Sequence, residues 1–321
     1  MKSFAQAMAA IAALSILAVP SRTVALPAAE AEAGRNLSRH FADAIVSVEL
    51  VATIRMSAGD RQAPARELRL EPNGTVISPT GLTVTSLTEI DPRGAAEALT
   101  RNMNLPGGQR IQFGDSEYKE VKIRLANGTE IPANVVLKDA DLDLAFIAPV
   151  PGDPVAAKQK FTWVNMDDPA EPIVLSDYFI ISRAAKSLQR VPTVHAATIE
   201  GIVAKPRQLF IPSVSVIGCP MLNPGMHVLG LCLSRIADGH PVLVNGRPAA
   251  IILPAADVAE EARQAATAKP IQNPVLSDAP KAAPAAVPGP AQAVAPKPAP
   301  AQSPQPAPAE TAKPAGSAKT P

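Results

Sequence analysis

The stretch VIGCPMLNPGMHVLGLCL, residues 216–233, decides how the last third of the foldable chain is built. Its centre, Asn-Pro-Gly at positions 223–225, has the composition of a tight turn, because proline presets φ and glycine accepts positive φ. A short apolar segment leads into this turn, and a longer apolar segment from Val228 leaves it. The stretch therefore predicts a β-hairpin. Just before the hairpin, Gly218 and Pro220 form a Gly-x-Pro element.

Short apolar segments separated by turn residues continue on both sides of this hairpin. Helical periodicity is confined to a short helix that Asn36 or Ser38 would cap and a second helix after Pro254. The pattern predicts an all-β protein with two halves of about six strands each, that is, two antiparallel β-barrels followed by a C-terminal helix. We take three Asn-Gly dipeptides as hairpin turns, at 73–74, 127–128 and 245–246.

Other segments of the middle region carry weaker signals. The polar residues 57–67 are expected to leave the sheet, and residues 91–114, rich in Gly, Pro and Asn, to form a long surface loop. Short apolar runs at 162–164 and 173–175 are expected to be strands.

Both ends of the chain differ in composition from its middle. An apolar run at about residues 4–19 follows Lys2, which is the pattern of a secretory signal peptide. We assign residues 1–31 to it, with cleavage near residue 25 or 31, and keep an uncleaved membrane anchor as the alternative. Residues 267–321 are rich in Ala, Pro and Lys and lack aromatic side chains, so we expect a disordered tail. The folded domain is then residues 36–266 of a chain exported to the periplasm, the cell envelope or the extracellular space.

Composition excludes several classes of function. The net charge is +1, and no basic stripe is interleaved with aromatic residues, so no nucleic-acid partner is expected. The 4 histidines are scattered without the spacing of metal ligands, so no metal or cofactor is expected. Cys219 and Cys232 lie on the two arms of the hairpin, where they form either a disulfide or two buried free thiols.

Three stretches occur in an order and spacing that carry a family resemblance. Residues 73–85 read as a strand, a Ser-Pro-x-Gly turn and a second strand, and residues 121–147 as a hairpin and an acidic loop entering a buried strand. The third stretch joins the Gly-x-Pro hairpin to the later strand at 250–254. Together they resemble the trypsin-like (chymotrypsin-fold) serine proteases of the exported HtrA/Deg type. The resemblance covers about residues 38–262 and implies the double barrel, without a PDZ module after it.

The resemblance also implies where a catalytic triad would lie. In this chemistry a serine attacks, a histidine takes its proton, and an aspartate holds the histidine. The histidine position is occupied by Thr88, the aspartate position by Asp143 and the nucleophile position by Ile217. Thr88 cannot act as a base near neutral pH, and Ile217 has no nucleophilic atom. Ser215 and Cys219 replace two glycines of the family motif, which weakens the oxyanion hole.

These losses favour an exported pseudoprotease that binds or scaffolds a protein or peptide partner. One alternative is an active serine-type endopeptidase whose nucleophile has moved to Ser213, Ser215 or Cys219. Another is a structural envelope protein tethered by its tail from Pro270 onward, with no transmembrane segment after signal cleavage. Asp143 is expected to remain in any of these cases, because aspartates at such junctions accept hydrogen bonds from local backbone N–H groups.

Overall fold

The structure, a computed structural model, describes residues 26–271 except 59–60, 95, 97–110, 239 and 245–246. The apolar N-terminal run, nearly all of the predicted tail and the Asn-Gly dipeptide at 245–246 therefore lie outside the described residues. Among the helices of the described ranges, none is long and apolar enough to cross a membrane.

The first half of the chain forms a closed ring of strands. Strand β1 pairs with β3 through its first residues and with β5 along most of its length, so the order β1-β3-β4-β7-β6-β5 closes on itself. Strand β2 pairs with the outer half of β1 and extends the sheet beyond the ring. The elements of this half are α1 (Ala28–Phe41), β1 (Ile45–Ala58), β2 (Arg61–Leu70), β3 (Asn73–Val76), β4 (Thr83–Ser86), α2 (Leu87–Ile90), β5 (Ile111–Arg124), β6 (Glu130–Asp139) and β7 (Leu144–Pro149).

The second half forms another closed barrel, in the order β10-β17-β12-β11-β8-β9. Four very short strands between β12 and β17 make two small hairpins, and a helix follows the last strand. The elements are β8 (Asp177–Arg183), β9 (Pro192–Val203), β10 (Leu209–Pro212), β11 (Pro220–Leu222), β12 (Val228–Ser234), β13 (Ile236–Ala237), β14 (His240–Pro241), β15 (Leu243–Val244), β16 (Arg247–Pro248), β17 (Ala250–Pro254) and α3 (Ala255–Thr267).

One apolar core holds the barrels and the two long helices together. Val84 and Phe146 of the first barrel belong to the same buried cluster as the side chains that fill the second barrel. Helix α1 buries Leu37 completely and approaches β8 closely at Gly34, where a Cβ would lie 3.0 Å from the ring of Phe179. Because both barrels contribute to this cluster, their relative position is fixed by side-chain packing.

The two closed barrels of six strands each in the described ranges, with the helix after the second, confirm the predicted all-β double-barrel fold. The opening hairpin is also confirmed, as β11 and β12 are joined by a turn at 223–227.

Several local predictions were wrong. The polar residues 61–67 belong to β2, because an edge strand needs few apolar side chains. Residues 173–175 form an exposed turn instead of a strand, and Leu175 has a φ of 63°. The Asn-Gly pair at 73–74 lies within β3, where a Cβ on Gly74 would be 2.8 Å from the side chains of Val48 and Thr83. Helix α1 begins at Ala28, upstream of both predicted caps.

Candidate functional site

Asp143 lies where the two barrels meet. It precedes β7 with a φ of 60°, a left-handed conformation that aspartate tolerates better than most residues. Its side chain is only 1% exposed. A buried carboxylate is costly unless its oxygens accept hydrogen bonds, so the donors around it define what this position does.

Four donors saturate the carboxylate of Asp143. Oδ1 accepts hydrogen bonds from the backbone N–H of Thr88 and from its hydroxyl Oγ1, both at 2.7 Å. Oδ2 accepts from the hydroxyl of Ser86 at 2.7 Å and from the backbone N–H of Ser234 at 2.8 Å. Burial raises the pKa of Asp143 above its ordinary value, and these hydrogen bonds act in the opposite direction. The donors come from distant parts of the chain, not from local N–H groups as predicted.

The turn after β4 explains why Thr88 reaches Asp143. Ser86 ends the strand and caps α2, because its hydroxyl accepts a hydrogen bond from the backbone N–H of Glu89 at 3.3 Å. This cap starts a short helical turn that points both donors of Thr88 at the carboxylate. The structure thus brings two of the three predicted triad positions, Thr88 and Asp143, into direct contact.

Ile217, the third position, lies in the loop between β10 and β11. Its side chain is half-buried and packs against the large apolar core. The next residue, Gly218, has a φ of 78°, and a Cβ there would lie 2.3 Å from the carbonyl oxygen of Asn73. The hydroxyl of Thr75 donates to the carbonyl of Gly218 at 2.8 Å. The loop is therefore fixed against β3, with a branched apolar side chain at the predicted nucleophile position.

The two cysteines lie directly behind this loop. The N–H of Gly218 donates to the carbonyl of Cys232 at 2.8 Å, and the N–H of Cys232 donates to the carbonyl of Cys219 at 2.9 Å. Two residues of one strand thus oppose one residue of its neighbour, which is the geometry of a β-bulge. Both thiols are free and fully buried, so the structure has the second predicted alternative and not the disulfide. Burial raises the pKa of both, to about 12 for Cys232.

Ile217 lies in the lining of a surface cleft of about 680 Å³. Both barrels line this cleft, and its walls also include Glu89, the sequence neighbour of Thr88. The remaining lining residues include polar, apolar and charged side chains: Ser47, Glu71, Pro72, Asn73, Arg183, Ala184, Ala185, Lys186, Ser187, Ser215 and Val216. Of the three predicted triad positions, Ile217 therefore lines the cleft, and Thr88 is adjacent in sequence to a lining residue and contacts Asp143.

The other candidate nucleophiles differ in access. Cys219 is 0% exposed, and its raised pKa disfavours the thiolate. The hydroxyl of Ser213 accepts a hydrogen bond from the N–H of Thr198 at 2.9 Å, as a turn serine does. Ser215 is exposed in the cleft, but within the described ranges no hydrogen bond joins its side chain to a base.

The histidines lie away from the cleft lining. His195 is 3.2 Å from the hydroxyl of Ser182, which is itself only 1% exposed. Nδ1 of His227 is 2.9 Å from the carboxylate of Asp168 on the surface. His40 and His240 are exposed. In the described part of the chain, no group of three or more His, Cys, Asp or Glu side chains is arranged to hold a metal ion.

Sequence reasoning missed Ser86, Ser234 and Glu89. Ser86 and Glu89 form the pattern Ser-x-x-Glu, which is a known signature of a helix N-terminus and could have placed the turn that carries Thr88. Ser234 acts through its backbone N–H, and 91 residues separate it from Asp143. No side-chain pattern marks such a donor.

Two closed antiparallel barrels with a buried aspartate at their junction are the architecture that the sequence resemblance to trypsin-like proteases implied.

Comparison with known proteins finds solved structures to which this chain is similar. The chain is similar to solved structures of Deg5 (TM-score 0.46, 18% identity, covering 72% of this chain and 92% of that chain). It is also similar to the MamO protease domain from Magnetospirillum magneticum (TM-score 0.42, 17% identity, covering 70% of this chain and 98% of that chain). A third similar structure is the Rv3671c protease from M. tuberculosis in its active form. Its TM-score is 0.46 at 17% identity, and the match covers 76% of this chain and 89% of that chain. No family model and no curated protein sequence matches the chain.

Proposed function

We propose that this protein is an exported, catalytically silent trypsin-like domain that binds or scaffolds a polypeptide partner in the cleft between its barrels. The observation that carries the proposal is the hydrogen bond from the Thr88 hydroxyl to Asp143. A hydroxyl in that place uses the carboxylate as a structural acceptor and supplies no base for a nucleophile.

The predicted nucleophile position supports the same proposal. Ile217 packs against the core where the resemblance requires a serine. Losing the base and the nucleophile together leaves no route for acyl transfer by this mechanism. The cleft itself remains open, since about 680 Å³ is enough for several side chains of an extended segment.

Binding without cleavage is the outcome to measure. The purified chain is incubated with fluorescein-labelled casein, and anisotropy reports binding while gel electrophoresis reports cleavage. We expect casein to bind and stay intact, and a fluorophosphonate probe to leave the protein unlabelled. Serine-specific labelling would refute the proposal.

A matched pair of variants ties binding to the cleft. Ser215→Trp fills the cleft from an exposed position in its lining. Gln264→Trp adds the same side chain at an exposed position on α3, outside that lining. We expect the first variant to weaken casein binding and the second to leave it unchanged. Equal binding by both would place the partner elsewhere.

An active hydrolase with a relocated nucleophile is the second candidate. Among its three proposed nucleophiles, Ser215 alone combines exposure with a place in the cleft lining. This candidate requires that casein be cleaved and that Ser215→Ala abolish the cleavage. The structural envelope protein remains the third candidate: it requires that deleting residues 270–321 release the protein from the cell envelope.

A further inference from the structure

Glu89 is an acidic group on the cleft wall without a cation of its own. Its side chain is exposed, and within the described ranges it takes part in no ion pair. Two effects raise the pKa of Glu89: partial desolvation of its carboxylate, and repulsion by the buried carboxylate of Asp143. Two carboxylates at this end of the cleft create a local negative potential.

All but one of the other charged residues in the lining already form ion pairs or hydrogen bonds within the protein. Glu71 pairs with Arg190, which also contacts Glu49 at 3.0 Å. The guanidinium of Arg183 is buried and donates to backbone carbonyls, including that of Ala42 at 2.6 Å. Glu71 and Arg183 therefore already have partners within the protein.

Lys186 is the exception. It is exposed in the same lining, and its side chain forms no ion pair with any described residue. The lining thus contains one anion and one cation that form no ion pair with a described residue, so it can distinguish ligands by their charge.

The wall that carries Lys186 is held rigidly. Gln189 and Arg190 have φ values of 59° and 51°, a left-handed conformation that is unfavourable for residues other than glycine. The N–H groups of Arg183 hold this turn from below by donating to the carbonyl of Arg190 at 3.1 Å. A strained backbone persists only where the surrounding structure holds it in place, and such segments are common at binding sites.

The lining also contains apolar residues. They are Ala184 and Ala185 after β8 and Val216 and Ile217 in the loop before β11. Val216 and Ile217 are half-buried and pack against the core, so they can contact an apolar side chain of a ligand.

On the basis of the proposed function, we propose that the cleft selects an extended polypeptide segment in which a lysine or arginine stands next to an apolar residue. The apolar side chain contacts Ile217, and the basic side chain pairs with Glu89. A bound cation offsets the repulsion between Glu89 and Asp143, which a neutral or acidic side chain cannot do.

The test uses the full chain and three fluorescein-labelled peptides that differ at one place, with central pairs Leu-Lys, Leu-Gln and Leu-Glu. Anisotropy gives the Kd of each. We expect the Leu-Lys peptide to bind about five- to tenfold more tightly than the Leu-Gln peptide, with a difference that shrinks as salt rises. The Leu-Glu peptide is expected to bind most weakly.

Two variants assign the preference to its residue. Glu89→Gln removes the charge at an exposed position and is expected to equalise the Leu-Lys and Leu-Gln peptides. Glu67→Gln is the matched control, since that carboxylate lies on β2 outside the cleft lining and pairs with Arg69 at 3.5 Å. It is expected to leave the preference unchanged, and thermal melting verifies that both variants are folded.

The outcomes separate this inference from the proposed function. If all peptides bind equally and Glu89→Gln changes nothing, the charge selection is refuted while the cleft remains a binding site. Tightest binding of the Leu-Glu peptide would refute it as well, and would assign recognition to Lys186. If no peptide binds and casein does not bind either, the proposed function fails together with this inference.

Discussion

Replacing Thr88 with valine tests whether the histidine position has become part of the structure. Valine keeps the shape of threonine and removes the hydroxyl that donates to Asp143 at 2.7 Å. The backbone N–H of Thr88 still donates to the same oxygen. One hydrogen bond to a charged and buried acceptor is therefore removed with little change in packing.

The expected cost follows from the kind of bond that is lost. Hydrogen bonds to charged groups contribute about 1.5–3 kcal/mol to stability. For a folded domain of this size, each kcal/mol shifts the Tm by about 2–4 °C, so we expect Tm to fall by about 3–12 °C. Urea denaturation followed by circular dichroism gives the free energy of unfolding directly.

Thr80→Val is the matched control. Its hydroxyl is exposed and lies 2.8 Å from the hydroxyl of Ser78, so we expect a change within about 0.5 kcal/mol. A Thr88→Val cost no larger than this control would refute a structural role for the bond to Asp143.

The pH dependence gives an independent check with a defined sign. The folded-state pKa of Asp143 lies above its ordinary value, so the folded chain loses stability relative to the unfolded chain as pH rises through that pKa. The Thr88 hydroxyl stabilises the ionised form, and its removal raises this pKa further. The cost of Thr88→Val should therefore be largest near pH 8 and shrink as pH falls and Asp143 becomes protonated.

Three further outcomes are expected. Gly218→Ala should lower the free energy of unfolding by more than about 2 kcal/mol, since its Cβ would lie 2.3 Å from the oxygen of Asn73. Gly128→Ala has a similar φ of 84°, but its Cβ would make only an ordinary contact of 3.9 Å with the side chain of Arg124, so it should cost about 1 kcal/mol. Equal urea midpoints for the two variants would contradict the clash. The two buried cysteines should react with Ellman's reagent in guanidinium and not in the native state, and a rapid native reaction would contradict their burial. Thr88→His combined with Ile217→Ser should still not cleave casein, because the glycines of the oxyanion loop are missing; cleavage would show that two side chains suffice.

Turn chemistry and strand alternation made the architecture predictable. The Asn-Pro-Gly turn at 223–225 connects β11 and β12 as expected, and the helix after Pro254 is present as α3. Strand β2 was not predictable in this way. It is an edge strand with polar and charged residues, so the alternation that marks a half-buried strand is absent from it.

The site was predictable only in part. Spacing and resemblance predicted Thr88, Asp143 and Ile217 as the triad positions, because each lies within a recognisable stretch of local sequence, and the structure brings Thr88 and Asp143 into contact. The contact with Ser234 depends on how the second barrel packs against the first, and this packing is set by side chains far apart in sequence. Glu89 was overlooked since a single acidic residue on a short helical turn is most often a solvated one.

The four hydrogen bonds of Asp143 give a physical reason for an aspartate to persist where catalysis is lost. Ser86 and Thr88 belong to the first barrel, and Ser234 ends a strand of the second, so one carboxylate connects both halves of the molecule. Replacing it with an apolar residue would leave the buried N–H of Ser234 without its acceptor. A histidine or serine of a triad has no comparable structural role, because each of them acts on a substrate at the surface of the cleft. Under the proposed loss of catalysis, the constraint on those two positions would therefore be removed first, and the aspartate would stay in place.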